Sequence, residues 1–321
     1  MVSYLLKRLG YATGLLLAVI TLNFLLIHIS PGDPVETIAG SMGGMTEELR
    51  AQLREEFGLD KPFLVQLGIY LSNVVQGDLG QSYYFNAPVM SLILERVPAT
   101  LLLVVVSVLL AFVIGTLMGA LAARRPNGLL SQVVTFLSIV GYSAPVFWTG
   151  IVLIILFASV WPIFPVSDMR TPGMSEGGWA GIVDVVHHLV LPSFTLAFVY
   201  IAQYSRLARA SMIDALSADY IRTARAKGLP EGIVIYKHAL RNAVLPVVTM
   251  LGMQFGNVLA GAILVETVFN WPGLGRLAFD SVLRRDYPTL LGILFFASLM
   301  VVIMNQLTDL AYRIIDPRIK T

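Results

Sequence analysis

Few residues of this chain belong to types that do chemistry unaided. It has 321 residues and no cysteine, which excludes a thiolate nucleophile, a disulfide framework and a zinc–cysteine site. None of the five lysines sits in a Gly-x-x-x-x-Gly-Lys-Ser/Thr phosphate loop, and no His-Glu-x-x-His zinc motif occurs. His187 and His188 adjoin and offer two imidazoles to a metal; the more ordinary reading is a solvated pair at an interface. Gln254 and Asn257, three apart, share one helix face, and Asn305, Gln306 and Asp309 gather in a later apolar run. Such amides usually bond helix to helix inside a membrane; lining a path for a polar solute is the sharper alternative. Glu266 closes an apolar run, where its carboxylate is expected to reach water.

What the chain does carry is a concentrated charge. Between two apolar runs, residues 206–241 hold Arg206, Arg209, Arg222, Arg225, Lys227, Lys237 and Arg241 against Asp214, Asp219 and Glu231. That is a local +4 in a protein of net +2. One Lys or Arg at a bilayer centre costs about 2.5–3.5 kcal/mol on insertion scales, so seven would cost on the order of 20 kcal/mol. The island must therefore lie in water, and the positive-inside rule makes that water the cytoplasm. Within it, Asp219 to Gly228 reads as one short helix. Asp219 is the expected N-cap, Gly228 the expected left-handed residue after the C-terminus, and Lys227 the cation suited to the last turn. Tyr220, Ile221 and Ala224 form its apolar stripe. A helix of about nine residues is marginal alone, so it needs something to pack on: lipid headgroups or another protein.

The elements that must hold this island follow from composition. The chain is 56% hydrophobic and only 13% charged, with mean hydropathy +0.77. Soluble domains carry about 25% charged residues, so this is a membrane protein. No basic and aromatic groove signals nucleic acid. Apolar runs are predicted at residues 9–29, 97–123, 129–160, about 189–204, 242–265 and 287–308, giving six spans with both termini inside. The third is long, and Gly141, Pro145 and Gly150 are expected to kink it. The acidic segment 31–96 is predicted as a small extracytoplasmic cap with two amphipathic helices, one capped by Thr46 and ended by Gly58, the other opened by Pro62 and carrying Leu64, Leu67, Leu71 and Val74 on one stripe. Domains are thus 1–30, the cap 31–96, and a core 97–321 containing the loop 206–241. Of the 22 Lys and Arg residues, 14 fall on the predicted inner side and 8 on the outer. No array of buried charge crosses the runs, as an ion-driven carrier would often need, so the passage lacks an engine of its own.

Several long motifs then occur in order: Ile29-Ser30-Pro31-Gly32-Asp33-Pro34, Gln76-Gly77-Asp78-Leu79-Gly80, Glu95-Arg96-Val97-Pro98-Ala99-Thr100, Asp219 through Gly228 with His238 through Pro246, Glu266 through Gly275, and Asp316-Pro317-Arg318. Over nearly its whole length the chain resembles the B-type permease subunit of dipeptide, oligopeptide and nickel ABC importers. The resemblance implies an all-α fold, the type I ABC importer permease, with six transmembrane helices and the extracytoplasmic cap between helices 1 and 2. It implies a non-catalytic subunit of the bacterial or archaeal inner membrane that forms half of a path for peptides. Nickel, glutathione or oligosaccharide import are alternatives within the family, and a stand-alone carrier is an alternative outside it. The implied partners are a homologous C-type permease, two ABC ATPase subunits that use ATP and Mg, an extracytoplasmic substrate-binding protein and membrane lipid, with no cofactor or metal on this chain and no nucleic acid. The short start before helix one favours the B-type over the C-type. The coupling helix would be Asp219, Tyr220, Arg222, Thr223, Ala224, Arg225, Ala226, Lys227 and Gly228, and the path would include Gln254, Asn257 and Asn305. In the general importer pattern Glu-Ala-Ala-x-x-x-Gly the three leading positions fall on Arg222, Thr223 and Ala224 and the glycine on Gly228; Arg222 stands in place of its Glu, which leaves Asp219 as the carboxylate for an ion pair.

Overall fold

The computed structural model describes residues 2–29, 46–56, 60–82, 84–174 and 177–315, apart from a few side chains within the helices. The helix stop at 30–34, Gly58 and the 316–318 motif lie outside the described residues. Among the described residues nearly everything is helical. In chain order, α1 spans Val2–Ile29, α2 Glu47–Glu56 and α3 Phe63–Val75. A two-residue hairpin pairs Gln81–Ser82 antiparallel with Ala87–Pro88. Then come α4 Val89–Ala123, α5 Leu129–Ser143, and α6 Val146–Ile154 continued by a π-turn at Ile155–Val160. Next are α7 Gly178–Ser217 and α8 Asp219–Ala226. A helical turn at Glu231–Ile233 and a π-turn at Val234–Ala239 lead into α9 Leu240–Val268, followed by α10 Leu274–Arg284 and α11 Tyr287–Ile315.

By length and apolarity of the described residues, three helices can cross a membrane: α4, α7 and α11 over Tyr287–Gln306. The broken pair α5–α6 makes a fourth if counted as one. The break is sharp, 107°. It falls at Ala144-Pro145, where the proline ring pushes the preceding residue out of the helical region; Ala144 is extended at ψ 129°. Gly141 and Gly150 serve a different purpose from the predicted kinks. A Cβ on Gly141 would meet the Ala202 Cβ at 3.1 Å, and one on Gly150 would meet Phe269 Cε2 at 3.1 Å. They are contact points, not hinges.

Two further boundaries differ from expectation. Helix α4 starts eight residues before the predicted Val97, because Pro98 is accommodated within it; Glu95 and Arg96 therefore ride on a helix. The run predicted as 189–204 is the middle of the 40-residue α7, which passes through Pro192 and carries Arg206 and Arg209 of the basic island. That part of the island is helix, not loop.

The chain divides into two compact units. The first comprises residues 1–98 and 276–303. In it α1 packs on α3, with the Phe24 ring 5.4 Å from Phe63 and 5.6 Å from Tyr70. On α3, Leu67, Leu71 and Val74 turn inward, whereas Leu64 is exposed. The hairpin is fastened by Asp286, whose Oδ2 accepts from Ser82 Oγ at 2.5 Å and Thr289 Oγ1 at 2.7 Å.

The second unit comprises 99–275 and 304–321. Helix α7 is its axis and packs on α5, α6 and α9. Its main core gathers Leu103, Leu196, Tyr204, Val258, Val265, Phe269 and Trp271. Helix α4 approaches α7 through Gly115 and Gly119. A Cβ on Gly115 would stand 2.6 Å from Tyr204 Cβ, and one on Gly119 would stand 2.7 Å from Ala208 Cβ. Small residues four apart let two backbones touch, which is how helices gain van der Waals contact where lipid removes the hydrophobic drive.

Candidate functional site

The basic island runs from α7, with Arg206 and Arg209, through α8, with Arg222 and Arg225, to Lys237 in the π-turn and Arg241 on α9. Arg209 donates from Nε to Ser131 Oγ at 2.7 Å and from Nη2 to the Pro126 carbonyl at 3.1 Å, tying α7 to the 124–128 turn. The Arg206 guanidinium lies 5.7 Å from the centre of the Tyr142 ring. These two cations hold the scaffold.

Helix α8 begins one residue away from the expected cap. Ala218 occupies the N-cap with extended angles and has no side chain to accept a capping bond, while Asp219 is the first helical residue and places its charge at the positive end of the helix dipole. The other end matches the sequence reading. Gly228 has φ +74°, Gly228 N donates to Arg225 O at 2.9 Å, and Leu229 N donates to Ala224 O at 3.4 Å. These are the two bonds of a Schellman ending, which only a residue tolerant of positive φ supports cheaply.

What α8 packs on is its own chain. Ile221 and Ala224 are buried against Met212, Val234, Ile235, Ala239, Ala243 and Ala123, a second core beneath the knob. This corrects the predicted stripe of three, because Tyr220 is 41% exposed and belongs to the outer face. It also removes the need for a foreign surface to make the helix stable: burying Ile221 alone is worth roughly 1.5–3 kcal/mol. Asp219, Tyr220, Arg222, Thr223, Arg225, Ala226 and Lys227 all face outward. The Arg225 guanidinium reaches forward to Glu231 with Nη2–Oε1 at 2.6 Å and Nε–Oε2 at 3.2 Å, so this cation braces the loop that follows. That bond raises Arg225 and, with the smaller effect of the Arg124 charge, holds the Glu231 carboxyl below its ordinary range. Asp219 and Arg222 form a loose exposed pair at 3.5 Å. The result is a short rigid peg with a buried root and a charged, largely exposed crown.

Of the predicted path residues, Gln254 and Asn305 have described side chains. Gln254 is buried and donates to Gln203 Oε1 at 2.6 Å, a bond between α9 and α7 of the helix-joining kind. Asn305 is exposed on α11. The side chains of Asn257 and Asp309 lie outside the described residues. His188 Nδ1 pairs with the Asp184 carbonyl at 2.9 Å, and His187 Nε2 with the Ile163 carbonyl at 2.8 Å. Among the described residues no group of three or more potential ligands is arranged for a metal.

Glu266 is where the reading from sequence misjudged most. It does not reach water; it is completely buried. Its Oε1 accepts from Thr100 Oγ1 at 2.6 Å and its Oε2 from Gly275 N at 2.6 Å. Thr100 Oγ1 accepts in turn from Leu274 N at 2.8 Å, and Trp271 Nε1 donates to Ala99 O at 2.8 Å. A Cβ on Gly273 would overlap the carboxyl group itself. The turn after α9 is thus wrapped around one carboxyl group, which explains its two glycines. The signal was present: a carboxylate seven residues before Gly273 and nine before Gly275 can accept from the turn that those glycines make.

Residues 115–321 match the family described as binding-protein-dependent transport system inner membrane component, and residues 1–104 match its N-terminal companion. The chain belongs to this family. It is therefore a membrane permease subunit, the non-catalytic component of a binding-protein-dependent transporter. The permease is 41% identical over 339 residues to the "Dipeptide transport system permease protein DppB" of Escherichia coli strain K12, covering 100% of this chain and 99% of that one. It is 39% identical over 321 residues to the "Oligopeptide transport system permease protein AppB" of Bacillus subtilis strain 168, with both chains covered in full. It is 39% identical over 317 residues to the "Probable peptide ABC transporter permease protein y4tP" of Sinorhizobium fredii, covering 99% of each.

Proposed function

We propose that this permease is the B-type membrane subunit of an ATP-driven importer of short peptides, and that α8 with Gly228 is the helix through which ATPase subunits drive it. The observation that carries the reading is the construction of α8. Ile221 and Ala224 root it in its own chain, while Asp219, Tyr220, Arg222, Thr223, Ala226 and Lys227 are presented outward. A peg that must transmit displacement needs a stiff attachment on one side and an unoccupied polar face on the other. The names of relatives that share about 40% identity over the full length support peptides as the cargo.

In this reading the basic island faces the cytoplasm, both termini are cytoplasmic, and segment 31–96 lies outside. Six spans are α1, α4, α5–α6, α7, α9 and α11; α1 and α9, of 28 and 29 residues, are long enough at about 1.5 Å rise per residue to cross about 30 Å of hydrocarbon. A homologous C-type permease completes the path, which takes in Gln254, Asn257 and Asn305. A binding protein delivers peptide outside, and two ATPases bind ATP and Mg inside. The ATPases shift a two-state equilibrium between outward- and inward-open forms by binding one form better than the other.

The test is reconstitution. The four membrane and ATPase components in liposomes, given a binding protein and ATP, are expected to accumulate a labelled dipeptide. Accumulation by this chain alone without ATP, or accumulation of nickel in place of peptide by the assembled complex, overturns the proposal.

A further inference from the structure

Within the first unit a cleft of about 170 Å³ opens between the hairpin turn, α4 and α10, lined by Phe85, Arg96, Arg276, Leu277 and Asp280. The Arg96 Nε is buried yet has no hydrogen-bond partner among the described residues. A buried guanidinium N–H without an acceptor costs on the order of 1–3 kcal/mol or more, so its persistence needs a reason. Arg276 lines the same space; its Nε stands 3.8 Å from Asp280 Oδ2, at the edge of ion-pair range, with both side chains about one-third exposed or more. The described lining thus offers two guanidiniums and one carboxylate, with a phenyl ring and the buried Leu277 as apolar walls.

We propose that this cleft binds the free carboxylate end of a short peptide. A guanidinium fork matches a carboxylate in charge and geometry, and an unpaired Nε is the donor that such an oxygen would satisfy. Asp280 repels a second anion, which disfavours doubly charged phosphates, and it offers an acceptor to an ammonium group. The apolar walls suit a small side chain. The volume admits a carboxyl group with a residue or two, not a folded segment. The inference rests on the reading of the protein as a peptide importer, because that reading places the cleft on the side from which peptide arrives; it assigns a receiving point on the permease itself.

The experiment uses the full chain in lipid nanodiscs and measures binding of Ala-Ala, Ala-Ala amide and N-acetyl-Ala-Ala by saturation-transfer NMR. Ala-Ala is expected to bind, its amide at least tenfold more weakly, and the acetylated form with an intermediate loss. Arg96→Gln and Arg276→Gln should each weaken Ala-Ala tenfold or more, and should remove the preference over the amide. Because Arg96→Gln alters a buried group and can impair folding, the wild-type comparison of acid with amide is decisive alone: equal binding of the two, or no binding of either, overturns the site. Wild-type protein that distinguishes acid from amide here, in a complex that fails to transport dipeptide with its partners and ATP, leaves the cleft standing and overturns the import reading instead.

Discussion

Replacing Glu266 by Gln tests whether one buried carboxyl group organises the turn after α9. The side chain keeps its volume, so no cavity opens. What changes is acceptor capacity. Both carboxyl oxygens receive a donor at 2.6 Å, Thr100 Oγ1 on one and Gly275 N on the other. An amide has one oxygen, so one of these donors must face an N–H. Thr100 cannot reverse its role freely, because its oxygen already accepts from Leu274 N at 2.8 Å. Gly275 N is fixed by the backbone. One hydrogen bond to a charged group is worth about 1.5–3 kcal/mol, and an unpaired buried donor adds a comparable penalty, so Glu266→Gln should cost about 3 kcal/mol. At roughly 2–4 °C per kcal/mol for chains of 150–250 residues, thermal unfolding in detergent should fall by about 10 °C. Thr100→Val removes one donor to the carboxyl group and the acceptor of Leu274 N. The double variant should therefore cost at least 1 kcal/mol less than the two single costs combined. A Glu266→Gln protein within 1 kcal/mol of wild type, or additive behaviour of the pair, would refute the idea that this carboxyl group ties the turn together.

Other consequences are read in different assays. Arg222→Glu on the crown of α8 should reduce ATPase association and coupled transport tenfold or more with unchanged membrane insertion, whereas Ala224→Leu should unfold the loop itself, since Ala224 is 6% exposed against its own chain; pull-down with partner ATPase and protease sensitivity separate the two. Gly119→Leu should destabilise by several kcal/mol or separate α4 from α7, because even a Cβ there meets Ala208 at 2.7 Å, and detergent unfolding measures it. The Arg225–Glu231 brace should be pH-dependent in one direction. Glu231 is held below its ordinary value of 4.5, so the stability it lends is complete above that value and is lost as pH falls through the lower folded value. A spin label at Ala226→Cys, in a chain with no other cysteine, should gain mobility as pH falls through the depressed Glu231 value, and Arg225→Gln should abolish that change.

The helical, membrane-embedded class and the position of the peg were legible because they depend on local rules. Seven cations cannot enter lipid, and Gly228 ends a helix by its own backbone freedom. What the sequence did not reveal depends on partners distant along the chain. Tyr220 and Ile221 are neighbours of similar apolarity, and only the floor made by Met212, Val234 and Ala239 decides which one is buried. Gly141 and Gly150 look like hinges until Ala202 and Phe269 are seen pressed against them. Pro145 bends its helix because the constraint acts on the adjacent residue, whereas Pro98 and Pro192 sit inside helices that continue through them. Glu266 shows the same limit at its most severe. Its fate is set by Thr100, 166 positions away, and a rule that ionisable groups at helix ends seek water has no means of seeing that acceptor demand from a tight turn outbids hydration. Local chemistry thus places the exposed crown, while tertiary chemistry decides what keeps that crown stiff. The first can be read from ten residues; the second needs contacts that only the folded chain brings together.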